Sequence, residues 1–281
     1  MAGRQKARRV RRLLPLPRCD GPKLHPFEHQ NAPIEWLERL AGDRGSQSGG
    51  EGSVFKVRIN SRLYALKVFK FFNPLTADNN WDMMVDDSVP LKTVIFHIDP
   101  FYAECRAYGR IKQAQGERRL KREVVVPCHG YLFLQERDAQ LLREKGVDLD
   151  DGVVDNGLLR VNKEDGRVRA IVKDFVPGGA GIDTTRSLRK ILRDIRSLNK
   201  LGIYVRDIRA DNFRAGQLVD FGLSHTEPHC VLDSLDEGMV RHYKVEDLVM
   251  FDNMVVEEGL VTNVRAMPNR AYCLKLRSRS R

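Results

Sequence analysis

From Ser53 to Ile59 the chain alternates strictly (SVFKVRI), and after a polar turn at Asn60-Ser61 it continues as Arg62 to Phe69 (RLYALKVF). Two period-two runs joined by two turn residues predict a β-hairpin. Val124 to Gln135 (VVVPCHGYLFLQ) and Arg169 to Val176 (RAIVKDFV) are two more strand-like runs. Ile34 to Leu40 (IEWLERL) is apolar enough for a short helix or a first strand, and its pattern fits both; counted as a strand it makes a five-stranded sheet. Helical spacing appears later. Leu188, Ile191, Leu192, Ile195 and Leu198 form one apolar face over Ser187 to Lys200, and a further helical run spans Val245 to Glu258. Asp99-Pro100 is a good helix start, aspartate as N-cap and proline at the first helical position, and leads into FYAECRAYGRI.

Composition narrows the class without choosing a function. The 281 residues are 42% hydrophobic and 31% charged, which suits a globular chain with a sizeable core. No apolar run approaches the roughly 20 residues that cross a bilayer, and no signal peptide opens the chain, so an intracellular location is expected. Five cysteines, odd in number and without CxxC pairing, read as reduced thiols. The net charge of +10 is uneven: seven lysines and arginines precede the first acid, Asp20. Residues 1–32, rich in proline and arginine, read as a basic tail disordered in isolation. That tail admits three readings: a nuclear localisation signal bound by an import receptor or a nucleic-acid contact, a solvated arm, or a mitochondrial presequence. Nuclear is the expected location and cytoplasmic the alternative; no membrane partner is expected, and nucleic acid is not expected as a partner on the strength of the tail alone.

Candidate chemistry is concentrated in two stretches. The glycine-dense Gly42 to Gly52 precedes a hairpin rather than a helix, so it suits a strand-borne flap better than a dinucleotide or P-loop turn. Lys67 sits in the middle of an apolar strand, where it needs a carboxylate or a phosphate to offset its desolvation. The second stretch, Leu201 to Ser224 (LGIYVRDIRADNFRAGQLVDFGLS), places Asp207, Asn212 and Asp220 where a loop and a short hairpin bring them together. One carboxylate to orient a hydroxyl, with an amide and a second carboxylate to hold metal, is the layout of a phosphoryl-transfer site. His225, His229 and Cys230 lack a fourth ligand at sensible spacing and read as structural.

These residues resemble the protein kinase family. Val205-Arg206-Asp207-Ile208 through Asn212 resembles its catalytic loop, Asp220-Phe221-Gly222 its magnesium loop, Tyr64-Ala65-Leu66-Lys67 its strand lysine, and Gly50-Glu51-Gly52 with Val57 its glycine flap, with Phe55 at the third glycine position. The resemblance runs from about residue 33 to 259. It implies an α+β, two-lobed kinase-like domain over 33–265: a five-stranded N-lobe over 33–173, a shortened, mainly helical C-lobe over 174–265, and a basic tail over 266–281. It also implies ATP and Mg2+ as cofactors. Gly50, Gly52, Val57, Ala65, Lys67, Asp174 and Val176 would bind nucleotide, and Asn212 and Asp220 the metal; Glu104 would hold Lys67, while Asp207, with Arg209 beside it, would orient the hydroxyl of a protein substrate. Lys173 would lie at the back of the adenine pocket, an awkward place for a cation. The segments 70–98 and 136–168 are insertions in that frame. The runs GIYVRDIRADNF, LVDFG, TEPH and FYAECRAYGR also resemble fungal kinase-like chains grouped with an inner-kinetochore subunit family. Two functions therefore stand: a protein-kinase-type phosphotransferase, or a pseudokinase scaffold in a nuclear assembly such as the kinetochore.

Overall fold

The computed structural model describes residues 21–41, 51–72, 85–86, 88–149 and 167–267. Gly50, the basic stretch 1–20 and the C-terminal stretch from 268 lie outside them. Five strands form one antiparallel sheet in the order β1-β2-β3-β5-β4: β1 (Glu35–Ala41), β2 (Gly52–Ile59), β3 (Arg62–Phe69), β4 (Cys128–Phe133) and β5 (Arg169–Asp174). The ambiguous apolar run at Ile34 is thus a strand, at the sheet's edge. Asn60 and Ser61 both take positive φ, 47° and 65°, as a two-residue hairpin turn requires to match the right-handed twist of its strands.

Helices cover both faces of the sheet. Helix α1 (Leu91–Ile98) is followed by α2 (Pro100–Gly116), whose N-cap is Asp99, its carboxylate accepting from Phe101 N at 3.0 Å. The expected helix start is therefore found, while α1 is an element that the reading of 70–98 as one long insertion missed. Phe101, Cys105, Tyr108 and Ile111 of α2 share a core with Phe69, Tyr131 and Ile171 of the sheet. On the opposite face, Ala139 and Leu142 of α3 (Glu136–Glu144) pack with Phe55, Val57, Leu66 and Val172. Burying each such large side chain contributes about 1.5–3 kcal/mol before entropy is counted. So the period-two pattern of β2 buries Phe55, Val57 and Ile59 on the face toward α3, and Phe55 at the third glycine position is a core residue stacked edge-on against Trp36.

The remaining chain is mainly helical. Helix α4 (Thr185–Asn199) begins with a capping box between Thr184 and Ser187, α5 (Cys230–Ser234) is one turn, and α6 (Glu237–Glu257) is capped by Asp236. The last helix thus starts eight residues before the periodic run did, because its cap and first turn carry no apolar pattern. Between α4 and α5 lie the two-residue strands β6 (Ile203–Tyr204), β7 (Phe213–Arg214), β8 (Gln217–Leu218) and β9 (His225–Thr226), paired β6–β9 and β7–β8. Residues 22–27 belong to this packed unit: Leu24 and Phe27 are buried, and Phe27 N donates to Tyr131 O at 2.7 Å. Gly109 of α2 lets that segment pass, since a β-carbon there would lie 2.4 Å from Pro22 O. Among the described residues no helix is long and apolar enough to cross a membrane.

Candidate functional site

A cleft lies where the sheet meets the helical half. Val54, Ala65, Val126 and Val219 supply apolar wall, Asp174 to Val176 one rim, and Asn212 and Asp220 the far end, with Lys67 and Lys173 also lining it. Apolar walls with a few convergent polar groups are the character of a small-molecule site.

The charged group inside it is built by three elements. Lys67 on β3 is buried, and its ammonium touches Asp220 Oδ1 at 2.6 Å, Glu104 Oε2 at 3.0 Å and Glu51 Oε2 at 3.3 Å. Lys173 on β5, paired opposite Ala65, bonds Val219 O at 2.6 Å and meets the other oxygen of Glu104. The cation expected to be awkward is thus accommodated because Glu104, wholly buried on α2, bridges two lysines. Burial works against the charge of Lys67, but Asp220, Glu104 and Glu51 outweigh it and hold the ammonium well above its ordinary range. Asp220 is pushed the opposite way: burial would raise its pKa, yet Lys67 and Lys173 bring it below the usual carboxylate range, helped by Gly222 N at 2.9 Å. Glu51 is the surplus member. Burial, with the charges of Asp220 and Glu104, lifts its pKa to about 7 against the pull of Lys67. Its carboxylate lies flat against Gly222, where a β-carbon would come within 1.7 Å of Oε2.

The second part of the site is the loop after β6. Asn212 donates to Asp207 Oδ2 at 2.7 Å and to Asp207 O at 2.9 Å, and Arg209 Nε lies 3.4 Å from Asp207 Oδ1. A residue that the motifs did not reveal fixes this loop from beneath. Asp247 on α6 accepts from Arg206 N at 2.7 Å, Val205 N at 2.9 Å and Asn199 Nδ2 at 2.7 Å. Burial raises the pKa of Asp247, opposed by those backbone bonds. It orients Arg206, which takes φ of 61° and reaches Glu246 at 3.1 Å and His225 Nε2 at 2.8 Å. Its sequence signal, one aspartate inside a helix, is shared with many surface positions.

Most of the expected residues converge. Lys67, Glu104 and Asp220 touch; Asp207, Asn212 and Arg209 touch; Ala65, Asp174 and Val176 line the cleft. Asp174 is also held by Arg62 at 2.7 Å and by His129 at 2.8 Å. Val57 does not converge: it is fully buried in the core on the sheet's other face, because odd positions of β2 point away from the cleft, and Val54 takes the wall position. Gly52 closes β2 tightly against Val68 O, and Gly50 lies outside the described residues. The histidine and cysteine cluster is separate. His97, His229 and Cys230 bring potential ligand atoms within 4.8 Å, so His97 rather than His225 is the third member. His97 Nδ1 already accepts from Cys230 N at 3.0 Å and His229 Nδ1 from Val231 N at 3.3 Å, while Arg106 places a cation beside them. Burial and that arginine push His97 down to about 4, so the cluster is a neutral hydrogen-bonded joint between α1 and α5.

One family model, described as kinetochore Sim4 complex subunit FTA2, matches residues 13–225, about three quarters of the chain. That span contains the whole sheet, the cleft and the Asp207 loop, and ends at β9. No curated protein matches the chain.

Proposed function

The chain belongs to the family of FTA2, the kinetochore Sim4 complex subunit, and from that premise we propose that it is a nuclear, chromosome-associated assembly subunit built on a kinase-like, two-lobed fold. In this reading the protein's partners are other proteins of the complex, and the cleft contributes rigidity rather than turnover. One observation carries the choice of scaffold over enzyme: the place beside Lys67 where a nucleotide phosphate would sit is taken by the carboxylate of Glu51. Three carboxylates already surround that one ammonium, so an entering phosphate meets surplus negative charge. The apolar walls would suit a planar base, and Asn212 and Asp220 are chemically fit to hold Mg2+, but the anion slot does not fit a triphosphate as it stands.

A second reading, phosphotransferase, is favoured by the convergence of Lys67 with Glu104 and Asp220 and of Asp207 with Asn212. In it Asp207 would orient the acceptor hydroxyl. One experiment separates the two. The tagged full-length chain, wild type and Asp207→Asn, is isolated from cells and tested for recovery of Sim4 complex subunits, and the same cells are scored for chromosome segregation. Unchanged recovery and unchanged segregation in Asp207→Asn are expected. Lost segregation with recovery intact would overturn the scaffold reading, as would magnesium-ATP stabilising the purified chain by the roughly 2.7 kcal/mol that a ligand gives at 100 times its dissociation constant.

A further inference from the structure

Helix α4 carries six cations between Arg186 and Lys200 and a single acid, Asp194, which is buried and bonded to Lys190 at 2.7 Å. Its core face is the apolar stripe from Leu188 to Leu198, so the opposite face is left to Arg186, Arg189, Arg193, Arg196 and Lys200, all exposed. Their spacing of three, four, three and four residues holds them in one line, about 21 Å long at 1.5 Å per residue. Among the described residues Arg186, Arg189, Arg196 and Lys200 have no carboxylate partner, and Arg193 has only a 3.5 Å approach to the buried Asp194.

A charged helix face is ordinarily laced with i,i+4 pairs of opposite sign, each mildly stabilising, while like charges at that spacing cost a similar amount. Here every exposed neighbour pair is repulsive, and no acid occupies the first turn, where Arg186 faces the positive end of the helix dipole. The arrangement lowers the stability of the free protein and is offset only when an anionic surface lies along it.

We propose that the outward face of α4 is a docking surface for the phosphate backbone of double-stranded DNA. Two features favour this occupant over an acidic protein. The face holds no exposed large apolar side chain, whereas protein interfaces are anchored by a buried apolar or aromatic centre. It is also arginine-rich and long enough to meet several phosphates of one strand, and the planar guanidinium matches a phosphate with two parallel bonds. Lys121 and Arg122, exposed beside the helix where Lys190 bonds Glu123 O at 2.9 Å, add two cations on its flank against the one exposed acid there, Glu123. The surface is independent of the cleft, so it stands or falls apart from the scaffold reading. It also revises the expectation that nucleic acid is no partner, which considered only the N-terminal tail.

The test is fluorescence anisotropy of the full-length protein with a mixed-sequence 20-base-pair duplex, titrated between about 50 and 200 mM salt. Replacing Arg186, Arg189, Arg193 and Arg196 together by glutamine should weaken binding at least tenfold and reduce the log–log salt slope by about 0.9 for each phosphate no longer neutralised, roughly 3 to 4 in all. Because a basic tail would also attract polyanions, a control removes equal charge elsewhere, at the exposed Arg58, Arg137, Arg143 and Lys145, and should leave the slope nearly unchanged. The same four α4 positions changed to lysine keep the charge and should keep the slope, which distinguishes a missing charge from a failed fold. An unchanged slope in the glutamine variant, an equal loss in the control, or displacement of the duplex by polyglutamate at lower charge concentration than by unlabelled DNA would each overturn the proposal.

Discussion

Helix α2 holds two buried ion sites five residues apart, and they are built on opposite plans. At its N-terminus Asp99 meets Arg169 at 2.5 Å, both side chains almost wholly excluded from water, with Arg169 also bonding Lys70 O at 3.1 Å and packing on Phe101. One anion faces one cation there, and neither lines the cleft that holds Lys67. At its middle Glu104 serves Lys67 and Lys173, and Lys67 in turn serves Asp220 and Glu51. Three anions share two cations on the wall of a cavity. Burial of charge alone therefore does not mark a functional site; the unequal count beside open space does, because only there can the partners exchange.

The contrast predicts a graded response to losing one partner. Arg169→Met should have the largest effect, about 3–5 kcal/mol in urea unfolding, because Asp99 is left buried with no alternative cation among the described residues. A loss under about 1 kcal/mol would mean that the pair is not desolvated as it stands in the fold. Glu104→Gln should cost less, on the order of 1–3 kcal/mol, since Lys67 keeps Asp220 and Glu51 and Lys173 keeps Val219 O. Equal losses in the two variants would erase the distinction between a closed pair and a shared one.

A further prediction concerns pH dependence and belongs to Glu51. Its pKa rises on folding from an ordinary 4.5 to about 7, so the folded protein binds more protons than the unfolded chain across that window. Stability therefore falls as pH rises from about 4.5 to about 7, and the penalty is complete above it. Glu51→Gln mimics the protonated form and should lose this component. Urea midpoints of the two proteins compared at pH 5, 6 and 7.5 check it, and parallel curves would show that Glu51 does not titrate in the cleft.

How much of this was legible in the sequence depended on whether a residue acts through its neighbours in the chain or across space. The hairpin, the Asp99-Pro100 start and the apolar face of α4 are local patterns, and the structure contains all three. The five-stranded sheet followed from counting such runs. The meeting of Lys67 with Glu104, 37 positions apart, was legible only through the family resemblance, and it is present. What was not legible has a common cause. Asp247 acts on a loop 41 residues earlier, Glu51 turns into the cleft from a flap with no periodicity, and Val57 lies on a strand whose alternation marks one apolar face without saying which side of the sheet meets the cavity. Lys173 was singled out as misplaced; the second oxygen of Glu104, which makes it tolerable, has no sequence signature.

Gly222 gives the cleft an unexpected property. A glycine in a loop is commonly valued for suppleness, but here its merit is thinness: the carboxylate of Glu51 rests where any side chain would stand. A single methyl group at that position would act as a shim, prising the flap's acid off Lys67 without altering any charge in the protein. Gly222→Ala and Glu51→Ala should then give similar proteins by different routes, one by shape and one by charge. The width of one peptide unit, rather than the identity of any polar group, sets which anion the lysine keeps.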